Sequence, residues 1–99
     1  MSNIEFLKTL EATIDERVIS PKDGSYTSSL AEEGIMKVSK KLGEEAVEVA
    51  LAAVAESTER LTEESADLIY HLLVVLRLRG LKLENIISEL EKRHNKQSN

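Results

Sequence analysis

The sequence predicts an all-α protein, a helical bundle of four to five helices in which two long antiparallel helices dominate. Three observations carry that expectation. Apolar residues recur at three- and four-residue steps along nearly the whole chain. No stretch shows the strict apolar–polar alternation of a half-buried strand. The single proline, Pro21, and three glycines, Gly24, Gly34 and Gly80, fall between the periodic segments, where helix breaks are needed.

Each element follows from its own residues. Ile4, Phe6, Leu7, Leu10, Ile14 and Val18 make the first segment, residues 1–19, an amphipathic helix. It stops at Ser20, because a residue before proline is pushed out of the helical region. Residues 20–28 read as a loop rich in small polar residues. Ser25 or Thr27 can cap a short helix through Glu33, with Gly34 as a bend. A long helix is expected over Ile35–Glu56. Ser57 or Thr58 caps the second long helix, which runs to Arg79 and ends at Gly80. Leu83, Ile86, Ile87 and Leu90 define a last helix to Arg93, and 94–99 is a polar tail. The chain is one domain, 1–99, whose helical core spans 29–93.

Composition narrows the function classes. With 99 residues, folding buries only roughly 60–65% of the unfolded chain's surface, so association is a common remedy. The segment Leu68–Leu76 is apolar nearly all round, which demands cover on more than one side and predicts a homodimer. A net charge of −5 and only three aromatics, Phe6, Tyr26 and Tyr70, argue against nucleic-acid binding. The absence of cysteine excludes disulfides and thiolate chemistry, and leaves oxygen ligands as the natural metal shell. Glu5 and Glu11 interrupt any signal-peptide core, and the apolar run Leu72–Leu76 is far short of the ~20 residues that span a bilayer. A cytoplasmic protein is the simplest expectation, with no membrane partner.

The chemistry sits in the acids. Glu44, Glu45 and Glu48 occupy one narrow arc of the first long helix, since each residue advances by about 100°. The second long helix supplies Glu64-x-x-Asp67, with His71 one turn further. If the helices are antiparallel across the Ser57–Thr58 turn, the two acidic stripes face each other. Carboxylates facing across an apolar bundle are costly unless a cation neutralises them. Mg²⁺ fits, being bound by a few carboxylates together with water and substrate phosphates. The alternative is a solvated face, with Lys40 and Lys41 four residues before Glu44 and Glu45. A di-iron centre needs Glu-x-x-His on two helices, and only Glu91-x-x-His94 has that form.

Lys-Lys-Leu-Gly-Glu-Glu-Ala-Val-Glu at 40–48 and Glu-Ser-Ala-Asp-Leu-Ile-Tyr-His at 64–71, preceded by Ser25-Tyr26-Thr27, Gly34 and Lys37, resemble the phosphoribosyl-ATP pyrophosphatases. These lie within the MazG-type all-α pyrophosphohydrolases, and the likeness runs from about Leu10 to Leu90. It implies a MazG-like bundle, completed by dimerisation, that hydrolyses phosphoribosyl-ATP to phosphoribosyl-AMP and pyrophosphate in histidine biosynthesis. It implies Mg²⁺, with Mn²⁺ as a substitute, held by Glu45, Glu48, Glu64 and Asp67. Glu44, Glu45 and Glu48 would be catalytic, Glu44 as a further ligand or the base that orients the water. Lys37, Lys41, Arg17, Ser25, Tyr26 and Thr27 would meet the nucleotide, and Tyr70 and His71 would support the ligands. Two rivals remain: a general pyrophosphohydrolase that clears unwanted nucleoside triphosphates, and a non-catalytic helical dimerisation module.

Overall fold

The computed structural model describes residues 3–97, with the side chain of Gln97 left aside. Five helices follow in order: α1 (Phe6–Ile19), α2 (Tyr26–Glu33), α3 (Ile35–Ala55), α4 (Thr58–Leu78) and α5 (Leu83–Gln97). No strand occurs among the described residues, so the all-α expectation holds. None of these helices is long and apolar enough to cross a membrane.

The boundaries have local causes. Asn3 Oδ1 accepts from the Glu5 amide at 2.9 Å and starts α1, which ends at Ser20 ahead of Pro21. The loop that follows is shorter than 20–28. Ser25 Oγ accepts from the Ser28 amide at 3.1 Å, and this cap draws Tyr26, Thr27 and Ser28 into α2. Polar composition suggested loop, but their hydroxyls are used internally. Ser28 Oγ donates to the Arg17 carbonyl at 2.9 Å and accepts from the Lys22 amide at 3.0 Å.

Gly34, with φ of 97°, separates α2 from α3 by a conformation that a side chain would resist. Ser57 Oγ accepts from the Arg60 amide at 3.1 Å and opens α4 directly after α3. At the far end the Gly80 amide donates to Arg77 and the Leu81 amide to Leu76, with Gly80 at φ 77°, a Schellman closure. α5 runs four residues past Arg93, so His94 to Gln97 are helical; the expected polar tail beyond them lies outside the described residues.

The antiparallel pair α3–α4 is the most extensive contact of the fold, and α1 and α2 close over one end of it. There Ile14, Leu30, Val38, Leu73 and Val74 form the fully buried core, flanked by Leu10, Val18, Tyr70, Val75, Leu78 and Leu83. Asp15 and Arg77 pair across α1 and α4. α5 is anchored at its start, where Glu11 Oε2 accepts from the Leu83 amide at 2.6 Å and Leu83 touches the core. Beyond that point nearly all of α5 is exposed.

The α4 segment that prompted the dimer expectation is largely covered by its own chain: Leu73, Val74 and Leu76 are buried, and Ile69 is not. An uncovered apolar stripe lies instead on α3, where Val47, Leu51 and Val54 have exposures of 59, 58 and 88%.

Candidate metal centre

The α3–α4 seam repeats every seven residues, which keeps successive positions on nearly the same face. Along α3 it reads Val38, Glu45, Ala52; along α4, Glu64, His71, Leu78. Val38 and Ala52 are buried, as are Glu64 and His71, and Glu45 is half-buried. Acids therefore occupy positions that belong by geometry to the core. Glu48 on α3 and Glu64 on α4 sit about two turns on either side of the Glu56–Ser57 turn, opposite one another.

The result is a trio. One carboxylate oxygen each from Glu45, Glu48 and Glu64 lies within 4.8 Å of the others. Among the described residues, the buried side-chain atoms with no hydrogen-bond partner are Glu45 Oε2 and Glu64 Oε2. A buried carboxylate oxygen without a donor costs the desolvation of a charged group, so each calls for a proton or a cation. The Glu64 carboxyl is held above its ordinary value. The neighbouring Glu48 carboxyl, which can share its proton, is the leading cause, followed by burial; Asp67 acts in the same direction, and Arg60 opposes them. Three converging carboxylates with two donorless oxygens suit a hard, oxygen-seeking cation such as Mg²⁺.

The other predicted residues fall into separate groups. Asp67 is exposed and lies outside the trio, near enough to Glu64 to push its titration upward. Glu44 is also exposed and lines a surface hollow of about 250 Å³ with Glu33, Lys37, Lys40 and Lys41. Lys40 was not foreseen as part of this basic group. Arg17 and Ser25 border a different hollow, of about 240 Å³, with Lys22, Asp23 and Gly24. A larger groove, about 530 Å³ between α1 and the start of α5, contains none of these residues.

Tyr26, Thr27, Tyr70 and His71 form a single cluster that ties α2 to α4. His71 is buried; its Nδ1 lies 2.8 Å from the Asp67 carbonyl, which makes Nδ1–H the donor. Nε2 then accepts from the Tyr26 hydroxyl at 3.0 Å. Thr27 and Tyr70 share a hydrogen bond between their hydroxyls, and the Tyr26 and Tyr70 rings stack at 6.0 Å. Burial, first of all, pushes the Tyr70 hydroxyl upward, against the Thr27 hydrogen bond. Thr27 is thus spent on packing α2, while half the surface of Tyr26 remains open.

Comparison with known proteins decides the family. Residues 7–94 match the model of the phosphoribosyl-ATP pyrophosphohydrolases. The chain belongs to that family. A phosphoribosyl-ATP pyrophosphatase of Pyrobaculum islandicum is 51% identical over 90% of this chain and 95% of its own length. Another, of Rhizobium rhizogenes, is 48% identical over 88% of this chain and 84% of its own. The histidine biosynthesis bifunctional protein HisIE of Xylella fastidiosa is 47% identical over 91% of this chain. The match spans only 44% of that bifunctional relative.

Proposed function

We propose that this chain is a cytoplasmic hydrolase that cleaves the α–β phosphoanhydride of phosphoribosyl-ATP, yielding phosphoribosyl-AMP and pyrophosphate in histidine biosynthesis. Glu45, Glu48 and Glu64, with Asp67 beside them, hold Mg²⁺, or Mn²⁺ in its place. The observation that carries this reading is the pair of buried, donorless oxygens on Glu45 and Glu64, converging with Glu48 in a member of this family.

The division of labour follows from position. When bound, the divalent ion supplies positive charge for the phosphoryl oxygens and makes coordinated water more acidic. Lys37, Lys40 and Lys41, gathered one to two turns before Glu45 on α3, offer ammonium groups to the outer phosphates. Glu44 lines the same hollow, next in sequence to Glu45, and is a candidate acceptor for a proton from the attacking water. No side-chain nucleophile is required, since water can displace pyrophosphate directly. Tyr26 keeps enough exposed surface to face the nucleotide, whereas Thr27, Tyr70 and His71 fix the helix that carries it.

The exposed stripe Val47, Leu51 and Val54 beside these acids is the surface a second copy covers, giving a homodimer. Light scattering of the metal-free protein should report twice 11.0 kDa; a clean monomer at micromolar concentration contradicts it. The activity is tested by pyrophosphate release from phosphoribosyl-ATP beside ATP and the deoxynucleoside triphosphates, with and without chelator. Equal rates on all of them point to a general triphosphate pyrophosphohydrolase, and turnover in chelator removes the metal.

A further inference from the structure

Arg60 lies one turn before Glu64 on α4 and is half exposed, yet it ends on the most buried acid of the trio. Its Nη2 donates to Glu64 Oε1 at 2.8 Å. The same guanidinium reaches Glu63 at 3.0 Å through Nη1 and Glu56 at 3.4 Å through Nε. Its backbone is held as well, because its amide donates to the Ser57 cap. A planar fork fixed at three points has little freedom left to turn. Glu64 therefore meets a donor on one oxygen, while its other oxygen, Oε2, is buried without a partner, and its carboxylate belongs to the trio with Glu45 and Glu48.

We infer that Arg60 is a positioning residue for the cation: it locks the Glu64 carboxylate so that Oε1 faces the guanidinium and Oε2 faces the ion. This rests on the metal reading of the trio and deepens it. A carboxylate on a flexible side chain can rotate about its last bond and exchange its two oxygens. A partner on one oxygen removes that freedom, and such outer partners of metal ligands are commonly worth ~10–100-fold in metal affinity. One bond from a half-exposed arginine belongs at the lower end, about tenfold. A pure charge effect has the opposite sign, since deleting a cation near the site favours a second cation. The two accounts can be told apart.

The test is calorimetric titration of the full chain with Mn²⁺ alone, without substrate, in about 0.5 M KCl, where the Debye length is only ~4 Å and distant charges are screened. Arg60→Ala is expected to bind about tenfold more weakly than wild type. Arg60→Lys should recover part of the loss, because an ammonium reaches Oε1 without the fork. Melting in chelator should fall modestly, because buried Glu64 loses its donor while the other contacts of Arg60 are on the surface. Arg60→Ala binding as tightly as wild type, or more tightly, overturns the inference and leaves the metal site standing. A wild-type protein that takes up no Mn²⁺ overturns both. If Arg60→Ala does not fold, Arg60→Gln decides by the same comparison.

Discussion

One helix pair carries two regions of opposite character. At one end of the α3–α4 seam, Val38 and Val74 are fully buried against Ile14, Leu30 and Leu73. Further along, the same seam holds Glu45 and Glu64, each with a buried oxygen that has no donor. Helical geometry treats the two regions alike; their chemistry does not. The apolar end supplies the stability of a small domain. The acidic layer leaves buried oxygens without a donor, which costs stability unless a proton or cation neutralises them. A site built into a core seam has rigid elements beneath it, which is what a few-tenths-of-an-ångström ligand geometry requires.

Substitutions should separate the two regions, beginning with the largest effect. Glu48→Gln keeps shape but removes a charge from the ligand set, so kcat should fall by about 10²–10³ or more at saturating Mg²⁺ while the fold survives. Steady-state kinetics beside circular dichroism reads both; near-normal kcat would return Glu48 to a solvated face. Leu73→Ala should do the reverse, costing about 2–5 kcal/mol in denaturant unfolding, a large share of the total stability of such a domain. Loss of activity there should follow loss of fold.

A smaller effect distinguishes the acids from ordinary core polar groups. Glu45→Gln should raise the melting temperature measured in chelator, by a few degrees, since about 1 kcal/mol moves a domain of this size by ~4–8 °C. Mg²⁺ should raise the melting temperature of the wild type, and Glu45→Gln should erase that rise. A lower melting temperature in chelator would mean that the carboxylate is structural.

The raised titration of Glu64 adds a pH dependence. Because the folded protein holds this proton to higher pH than the unfolded chain, the associated stability is present below the ordinary value of 4.5 and is lost as pH rises through the folded value. Metal binding needs the ionised form, so Mg²⁺ affinity should rise across the same window. Thermal melts in chelator and in Mg²⁺ should therefore diverge as pH increases; parallel curves would break the link. Least in size, Tyr26→Phe should cost about 0.5–1.5 kcal/mol by leaving His71 Nε2 without its donor.

Much of this arrangement is legible in the sequence. Helical periodicity placed α3 and α4 to within a residue or so and turned their two acidic stripes toward each other. Two features were not legible. The choice of Ser25 over Thr27 as the cap of α2 depends on hydroxyls buried against α1 and α4, contacts between segments distant in sequence. The uncovered stripe on α3 depends on which face α1 and α2 take, and periodicity does not choose between faces. Arg60 did leave a signal, an arginine four residues before an acid, but the same spacing serves any surface ion pair.

The central claim is that the acids in the seam are a cation site. Crystals grown with Mn²⁺ and measured for anomalous scattering test it most directly. The account predicts an anomalous peak among the carboxylates of Glu45, Glu48 and Glu64. Well-ordered crystals with those carboxylates clear in density and no peak between them, or with manganese bound only elsewhere, would contradict it.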